Sequence, residues 1–369
     1  MANSRAAAAH QLASIVRGAR LDELTALAES EDGELANADA RDKAFARLLV
    51  RTALRRRGQI EEVLSVLLDR PLPPRRGFER ALLHTGAAQL LFLGTPAHAA
   101  VAETVNAAGP SPLRGLINAV LRRVANEGDA IAAACNAPRT NTPDWLWDQC
   151  EAAFGLRTAH EIALAHLAEP PLDLTPRRNA VSWSQRLGAK LLPTGSLRLH
   201  SAGRISALPG YGEGAWWVQD AAAALPAKLL LSALIKPADT CRIADLCAAP
   251  GGKTAQLAAA GAEVIAVDRD PERLTRLKQN LTRLSLSANA IAAHANRWMP
   301  NAPLDAVLLD APCTATGTIR RHPDLPWLKN ATSATKLLPL QDELLAHAAK
   351  MLIRGGLLIY CVCSLDKRE

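Results

Sequence analysis

"DLCAAPGGKT", Asp245 to Thr254, joins an apolar run, "CRIADL" (Cys241 to Leu246), to a helical pattern, "TAQLAAA" (Thr254 to Ala260). A strand, a glycine-rich turn and a helix in that order make a loop suited to hold a ligand at the carboxyl end of a strand. The phosphate-cradling version of such a loop reads G-x-x-x-x-G-K-[ST]. Gly252, Lys253 and Thr254 supply its second half, but Cys247 stands where the first glycine belongs. Without that glycine the backbone N–H groups at the start of the loop are poorly placed to wrap a triphosphate. Nucleotide hydrolysis is therefore the weaker reading, and the ligand has to be identified from what surrounds the loop.

From residue 221 to 369, apolar strands alternate with helical runs. "CRIADLCA", "AEVIAVDRD", "NAIAAHAN", "LDAVLLDAP" and "GGLLIYCVCS" are the expected strands. That alternation predicts a Rossmann-like parallel sheet wound with helices, whose ligands sit at the carboxyl strand ends. Asp268 ends the second strand, about 20 residues beyond the loop, where a carboxylate accepts hydrogen bonds from a ribose diol. The loop lacks G-x-G-x-x-G, which disfavours a dinucleotide. Ala248, Ala249, Gly251 and Gly252 leave room for a compact adenosine-containing ligand, and S-adenosylmethionine fits best. The competing account is a plain strand-to-helix turn with a surface carboxylate nearby. Asp310, ending the fourth strand, is placed for an edge contact to cofactor or substrate.

From about residue 4 to 126 the pattern is helical nearly throughout; "NEGDAIAAACNAPRTNTPDW" then mixes polar, small and proline residues without sustained amphipathicity, and a domain boundary is expected near residue 140. In "LRGLINAVLRRVAN", Leu113, Leu116, Ile117, Val120, Leu121 and Val124 recur at helical spacing and predict one buried face. Arg51, Arg55, Arg56, Arg57, Arg75, Arg76, Arg114, Arg122 and Arg123 make this module basic, either as a solvated face or as phosphate contacts. Residues 141–220 carry proline punctuation and strand-like pieces, "PLDLTPRRNAVS", "SLRLHS" and "GYGEGAWWVQD", and read as a small α+β segment. The net charge of +7 favours a polyanionic partner, and 49% apolar residues suffice for real cores. Seven irregularly spaced cysteines point to reduced thiols. The N-terminus has no clean signal-peptide core, and no window approaches 18 uncharged apolar residues. A cytoplasmic protein without membrane association is expected.

Three of those cysteines end strands: Cys313 past the fourth, Cys361 and Cys363 near the end of the fifth. Cys361 reads as a buried small hydrophobe, whereas Cys363 lies furthest towards the mouth of a site. No His or Cys pair has the spacing of a closed zinc site, so no metal is expected. A thiol serves methyl transfer to pyrimidine carbon 5, which becomes a competent nucleophile once a thiolate adds at carbon 6. A free thiol titrates near pKa 8.5, so a base or a cation is needed; Lys253 and Arg320 are the candidates.

Taken together, "DLCAAPGGKT", "VDRD", "LLDAPCTATGTIRRHPDLPW" and "YCVCS" resemble the RNA (cytosine-C5) methyltransferases. Within them the chain is most similar to the 16S rRNA methyltransferase B family (RsmB, also Sun or Fmu). "IRRHPD" follows the aspartate-proline-cysteine motif, and a NusB-like all-helical module precedes the catalytic part. The resemblance implies a NusB-like RNA-binding domain at 1–140, an RNA-facing α+β subdomain at 141–220 and a catalytic domain at 221–369. It implies Cys363 as the nucleophile on carbon 6, Cys313 as the residue that assists release, and Asp310 at N3 of the cytosine. Cys247, Ala248, Ala249, Pro250, Gly251, Gly252 and Lys253 become the donor loop, and Asp268 the ribose ligand. Gln219 and Asp220 resemble the segment leading into the catalytic core, and Arg178 and Asn179 the start of the RNA-facing part. The partner implied is 16S rRNA, not DNA.

This chain departs from the family pattern at two places. Asn296 stands where an aspartate near the adenine is usual, so weakened donor affinity is expected. The sequence stops five residues after Ser364, where the family continues into a hairpin, so a shortened product with an exposed fifth strand is expected. Two other readings stand beside the enzyme: an rRNA-binding protein with weak or no turnover, and a DNA cytosine methyltransferase using Cys313 as nucleophile.

Overall fold

The computed structural model describes residues 3–200 and 203–369; Ser201, which closes the expected "SLRLHS" strand, lies outside the described residues. The chain forms two compact units. One comprises Met1–Glu169, Ala315–Ser333 and Leu365–Lys367, and the other Pro170–Thr314, Ala334–Ser364 and Arg368–Glu369.

The second unit begins with a small antiparallel sheet. Its strands are β1 (Leu172–Pro176), β2 (Lys190–Leu191), β3 (Leu197–Leu199) and β4 (Trp216–Val218), in the order β2-β3-β1-β4. "PLDLTPRRNAVS" is only half strand. Asn179 takes a left-handed conformation (φ 55°), and Ala180 then starts a helix to Leu187. Trp216 is wholly buried in this sheet's core, with its indole N–H donating to the Pro209 carbonyl at 2.9 Å. Buried Asp173 accepts a bidentate pair from Arg198, 2.7 Å on each oxygen.

A five-stranded, wholly parallel sheet follows: β5 (Arg242–Leu246), β6 (Glu263–Asp268), β7 (Asn289–Ala292), β8 (Leu304–Asp310) and β9 (Leu352–Cys361). All five expected strands are present, in the order β7-β6-β5-β8-β9. Both faces are covered, which is why the central strands read as continuous apolar runs rather than alternating ones. Ala244 and Leu246 pack with Leu344 and Ala348 of the helix Leu338–Ala349, while Ile243 packs with Ala227, Leu230 and Leu257. Strand order runs outward from β5 to β7 and then restarts at β8, so the switch point lies between the carboxyl ends of β5 and β8. The fifth strand, β9, is an edge strand and is largely half-exposed.

The first unit is helical from Ser4–Val16 through to Leu156–His166. Ile15, Leu49, Leu54, Ile60, Leu82, Leu83, Ile117 and Leu121 are fully buried in one core. In the helix Arg114–Ala134 the expected face holds, with Ile117, Val120, Leu121 and Val124 buried. Leu116 is 39% exposed instead, because a single step places it roughly 100° from Ile117 around the helix. No described helix is long and apolar enough to cross a membrane.

Residues 315–333, which carry "IRRHPDLPW", are built into this helical unit. Trp327 donates its indole N–H to the Leu54 carbonyl at 3.2 Å, under the Arg57 guanidinium at 4.5 Å from the ring centre. Arg55, only 8% exposed, donates to the Arg320 carbonyl at 2.9 Å. Asp324 is buried, and its Oδ2 accepts from the N–H of Leu21 at 3.1 Å. Leu21 starts the helix Leu21–Glu29, whose own N-cap residue, Arg20, makes no capping bond. The aspartate thus caps that helix from a distant part of the chain and faces its positive end. Replacing it by Ala should destabilise the full-length chain by about 1–2 kcal/mol in urea unfolding, and Asp324→Asn, which keeps an acceptor, by less.

Candidate active site

The loop after β5 turns through Cys247 (φ 60°) and Gly251 (φ 100°), and the helix Gly252–Ala259 leaves from it. Gly251 is required twice over. Its backbone is left-handed, and a Cβ there would lie 2.8 Å from Cγ of Leu277. Asp268 Oδ2 accepts from the Ala249 N–H at 3.0 Å, Arg273 donates to the Ala249 carbonyl, and Asn280 donates to the Pro250 carbonyl at 3.3 Å. Against the other side of the loop lies Gln219, 3.3 Å from where a Cβ of Gly252 would stand. Its buried amide accepts from Thr175 Oγ1 (2.8 Å) and Trp217 Nε1 (2.9 Å), and donates to Gln256 Oε1 (2.7 Å). Gln219 therefore links the small sheet to the helix that carries the loop, a connection the sequence showed only as a residue following "WWV".

Charge decides what this loop can hold. Asp245 is fully buried, and burial pushes its carboxyl up to about 7, with Asp310 and Asp268 adding to the shift. One oxygen accepts from Thr254 Oγ1 at 2.5 Å, while the other, Oδ1, has no partner. Asp268 is 2% exposed. Its Oδ1 accepts from the Asp270 N–H at 3.1 Å, so each of its oxygens keeps a lone pair for a hydroxyl. Lys253 Nζ meets Asp310 Oδ2 at 2.7 Å. Burial disfavours the ammonium, but the Asp310 carboxylate outweighs it and holds the Lys253 pKa above its ordinary value. Burial also pushes the Cys247 thiol up to about 12, helped by all three aspartates.

A polyphosphate would meet three carboxylates here, with Lys253 already paired to one of them and Arg273 at 3.7 Å from another. The same set suits a cation that brings N–H and O–H donors, and the unpartnered Asp245 Oδ1 is an acceptor waiting for one. S-adenosylmethionine, with a sulfonium, an ammonium and a ribose diol, matches on all three counts.

The parallel ladder places Asp310 of β8 opposite Cys361 of β9. Cys361 Sγ lies 3.6 Å from Asp310 Oδ1, and burial pushes its thiol up to about 12, with Asp310 adding to the shift. Beyond the two strand ends, Cys313 and Cys363 bring their sulfurs to 3.4 Å of one another. The Cys313 thiol, hydrogen-bonded to it, pushes Cys363 well above the ordinary thiol range; desolvation and Asp310 act in the same direction, and Lys253 opposes them. The expected cationic activation is thus outweighed in the free chain. Arg320 belongs to the helical unit, where its guanidinium donates to the carbonyls of Ala168 and Glu169. Asn296 follows β7 and gives its amide to Glu343 at 3.1 Å.

Known proteins agree with this architecture. Residues 2–126 match the NusB family, and residues 232–369 match the family described as 16S rRNA methyltransferase RsmB/F. The ribosomal RNA small subunit methyltransferase B of Proteus mirabilis (strain HI4320) is 36% identical over 355 residues, covering 90% of this chain and 82% of its own. The protein of that name from Vibrio vulnificus (strain YJ016) is 37% identical over 392 residues, covering 100% and 88%. Among solved structures, PH0851 shares the fold over 99% of this chain and 87% of its own, with a TM-score of 0.70 at 21% identity. A methyltransferase homolog from Pyrococcus horikoshii reaches 0.51 at 27% identity, over 60% of this chain and 73% of its own. With a parallel sheet of this order and such relatives along nearly its whole length, the chain belongs to the ribosomal RNA small subunit methyltransferase B family.

Proposed function

We propose that this chain methylates carbon 5 of an unpaired cytosine in 16S rRNA, with Cys363 as the nucleophile at carbon 6 and Cys313 as the base that frees the product. The observation that carries this reading is the pair of sulfurs 3.4 Å apart, past the ends of β8 and β9, with the charge of Asp310 acting on Cys363. The donor cofactor supplies an electrophilic methyl on a sulfonium. Cys247 to Lys253 and Asp268 hold the donor, with Asn296 towards its adenine. The helical domain, about 1–140, and the α+β part, 141–220 with Arg178 and Asn179, engage the RNA.

Cys363 loses its proton to solvent, and its sulfur bonds to carbon 6. The carbon 5–carbon 6 π electrons then become available at carbon 5. Asp310 holds the ring by N3, an acceptor, and for this it carries a proton taken up from solvent as the base binds; the neutral acid donates to N3, where the charge arriving with the thiolate is delocalised. The methyl group becomes bonded to carbon 5 as its bond to sulfur breaks. Cys313, as thiolate, removes the proton from carbon 5, the double bond re-forms and Cys363 departs as a thiolate.

Transfer of labelled methyl to unmethylated small-subunit rRNA tests this directly. Wild type should label cytosine, Cys363→Ala should be silent, and Cys313→Ala should accumulate a covalent protein–RNA adduct. An adduct in Cys363→Ala would overturn the assignment in favour of Cys313 as nucleophile, and RNA binding without transfer would favour the binding-only reading.

A pH profile supplies a second check. Because Cys363 is held above the ordinary thiol range, the reactive thiolate is scarce at neutral pH and grows as pH rises. At limiting RNA, kcat/KM should climb by up to about tenfold per unit between about pH 7 and 9 without levelling off. A plateau already reached at neutral pH would contradict a protonated resting thiol.

A further inference from the structure

We propose that Glu369 and Gln341 are positioning residues that set the Cys313 thiol for product release; this rests on the release role given to Cys313 above. The peptide groups on both sides of Cys313 are held by these two side chains. Gln341, on the helix Leu338–Ala349 and 4% exposed, donates from Nε2 to the Pro312 carbonyl at 2.8 Å and to Glu369 Oε1 at 3.2 Å. Glu369 accepts from the Thr314 N–H, 2.9 Å to Oε1 and 3.2 Å to Oε2, and Thr314 also donates its hydroxyl to Oε2. Tyr360 anchors Glu369 in turn, its phenol donating to the Glu369 main-chain oxygen at 3.0 Å.

The bridge reaches the second cysteine loop as well. Thr314 Oγ1 lies 2.9 Å from Ser364 Oγ, and Ser364 follows Cys363. Thr314 has one hydroxyl proton, and Glu369 takes it, so Ser364 is the donor of that contact. Both protons on Gln341 Nε2 are used, and each Glu369 oxygen has a partner. This network, buried at Thr314 and Gln341, fixes the main chain on both sides of Cys313 and leaves the thiol rotation about its own side-chain bonds. It also sets the distance between the two cysteine loops. A base that must reach a proton on carbon 5 while another sulfur holds carbon 6 requires that restriction. Glu369 and Gln341 hydrogen-bond to the residues flanking Cys313, and their effect on the thiol is exerted through Pro312 and Thr314.

The two functions separate in a partition assay on the full chain, with an rRNA fragment and labelled S-adenosylmethionine. The fraction of RNA trapped as covalent adduct on a denaturing gel is divided by the released methylated RNA. Glu369→Ala and Gln341→Ala should raise that ratio on the order of tenfold over wild type, towards the value for Cys313→Ala, and Glu369→Gln should restore most of the wild-type ratio. Donor affinity, read by calorimetry, should be unchanged. A merely structural role would lower adduct and product together at the wild-type ratio, and that outcome overturns the proposal. Should Glu369→Ala fail to fold, Thr314→Val removes only the hydroxyl contacts and is held to the same ratio. If Cys313→Ala itself traps no adduct, the release role falls and this inference falls with it; if Cys313→Ala traps adduct and the positioning variants do not, only this inference fails.

Discussion

The parallel pairing of β8 with β9 is the constraint from which the site follows. Register Val307↔Leu358 through Asp310↔Cys361 brings both strands to the same level at their carboxyl ends. Whatever leaves the two strands there must meet. Cys313 and Cys363, fifty positions apart in sequence, reach sulfur contact because neither loop has far to travel. The neighbouring pair, β5 with β8, opens the switch point in which Lys253 meets Asp310. The glycine-bearing loop, the carboxylate and the thiols therefore occupy neighbouring strand ends of one sheet, and no separate device is needed to gather them.

Electrostatics then ranks the ligands. Three aspartates around one loop, one of them fully buried and raised to about 7, make a site that repels anions and has capacity for a cation. Burial raises the Cys361 thiol and the Cys313 hydrogen bond raises that of Cys363, and Asp310 adds to both. On the proposed mechanism these effects are coupled. Positive charge brought beside Asp310 offsets one of the smaller contributions to the raised Cys363 thiol, after those of Cys313 and burial. Lys253 already acts in that direction and is outweighed.

Much of this was legible in the sequence for a physical reason: strand and helix periodicity, glycine-bearing turns and residues at strand ends are local signals. The five strands, the loop and the cysteines at their ends were read from such signals. Gln341 and Glu369 were not, and Gln219 was marked only by resemblance and without its contacts, since a glutamine or glutamate acquires its role from partners 29 to 55 residues away. Asp245 was visible as the acidic residue of an apolar strand, but its orphaned oxygen is a property of the folded loop. Lys253, one candidate for lowering a thiol, does act in that direction on Cys363 but is outweighed there. Proximity of a lysine in sequence says nothing about whether a carboxylate has claimed it.

The arginines of the helical unit show the same limit from the other side. By composition they are one basic population, yet the fold divides them. Arg55 is buried on the Arg320 carbonyl, Arg57 pairs with Glu61 at 2.9 Å and covers Trp327, and Arg76 pairs with Glu79 at 3.1 Å. These residues hold the helices and the segment 315–333 together, and their charge is spent inside the unit. Arg75, Arg114 and Arg122 are exposed, and on them a phosphate contact costs little desolvation. Salt dependence of RNA binding should follow the second group, because only charges that release counterions contribute to it. A bare count of arginines thus overstates the surface available to a polyanion, since Arg55, Arg57 and Arg76 are already committed to the fold.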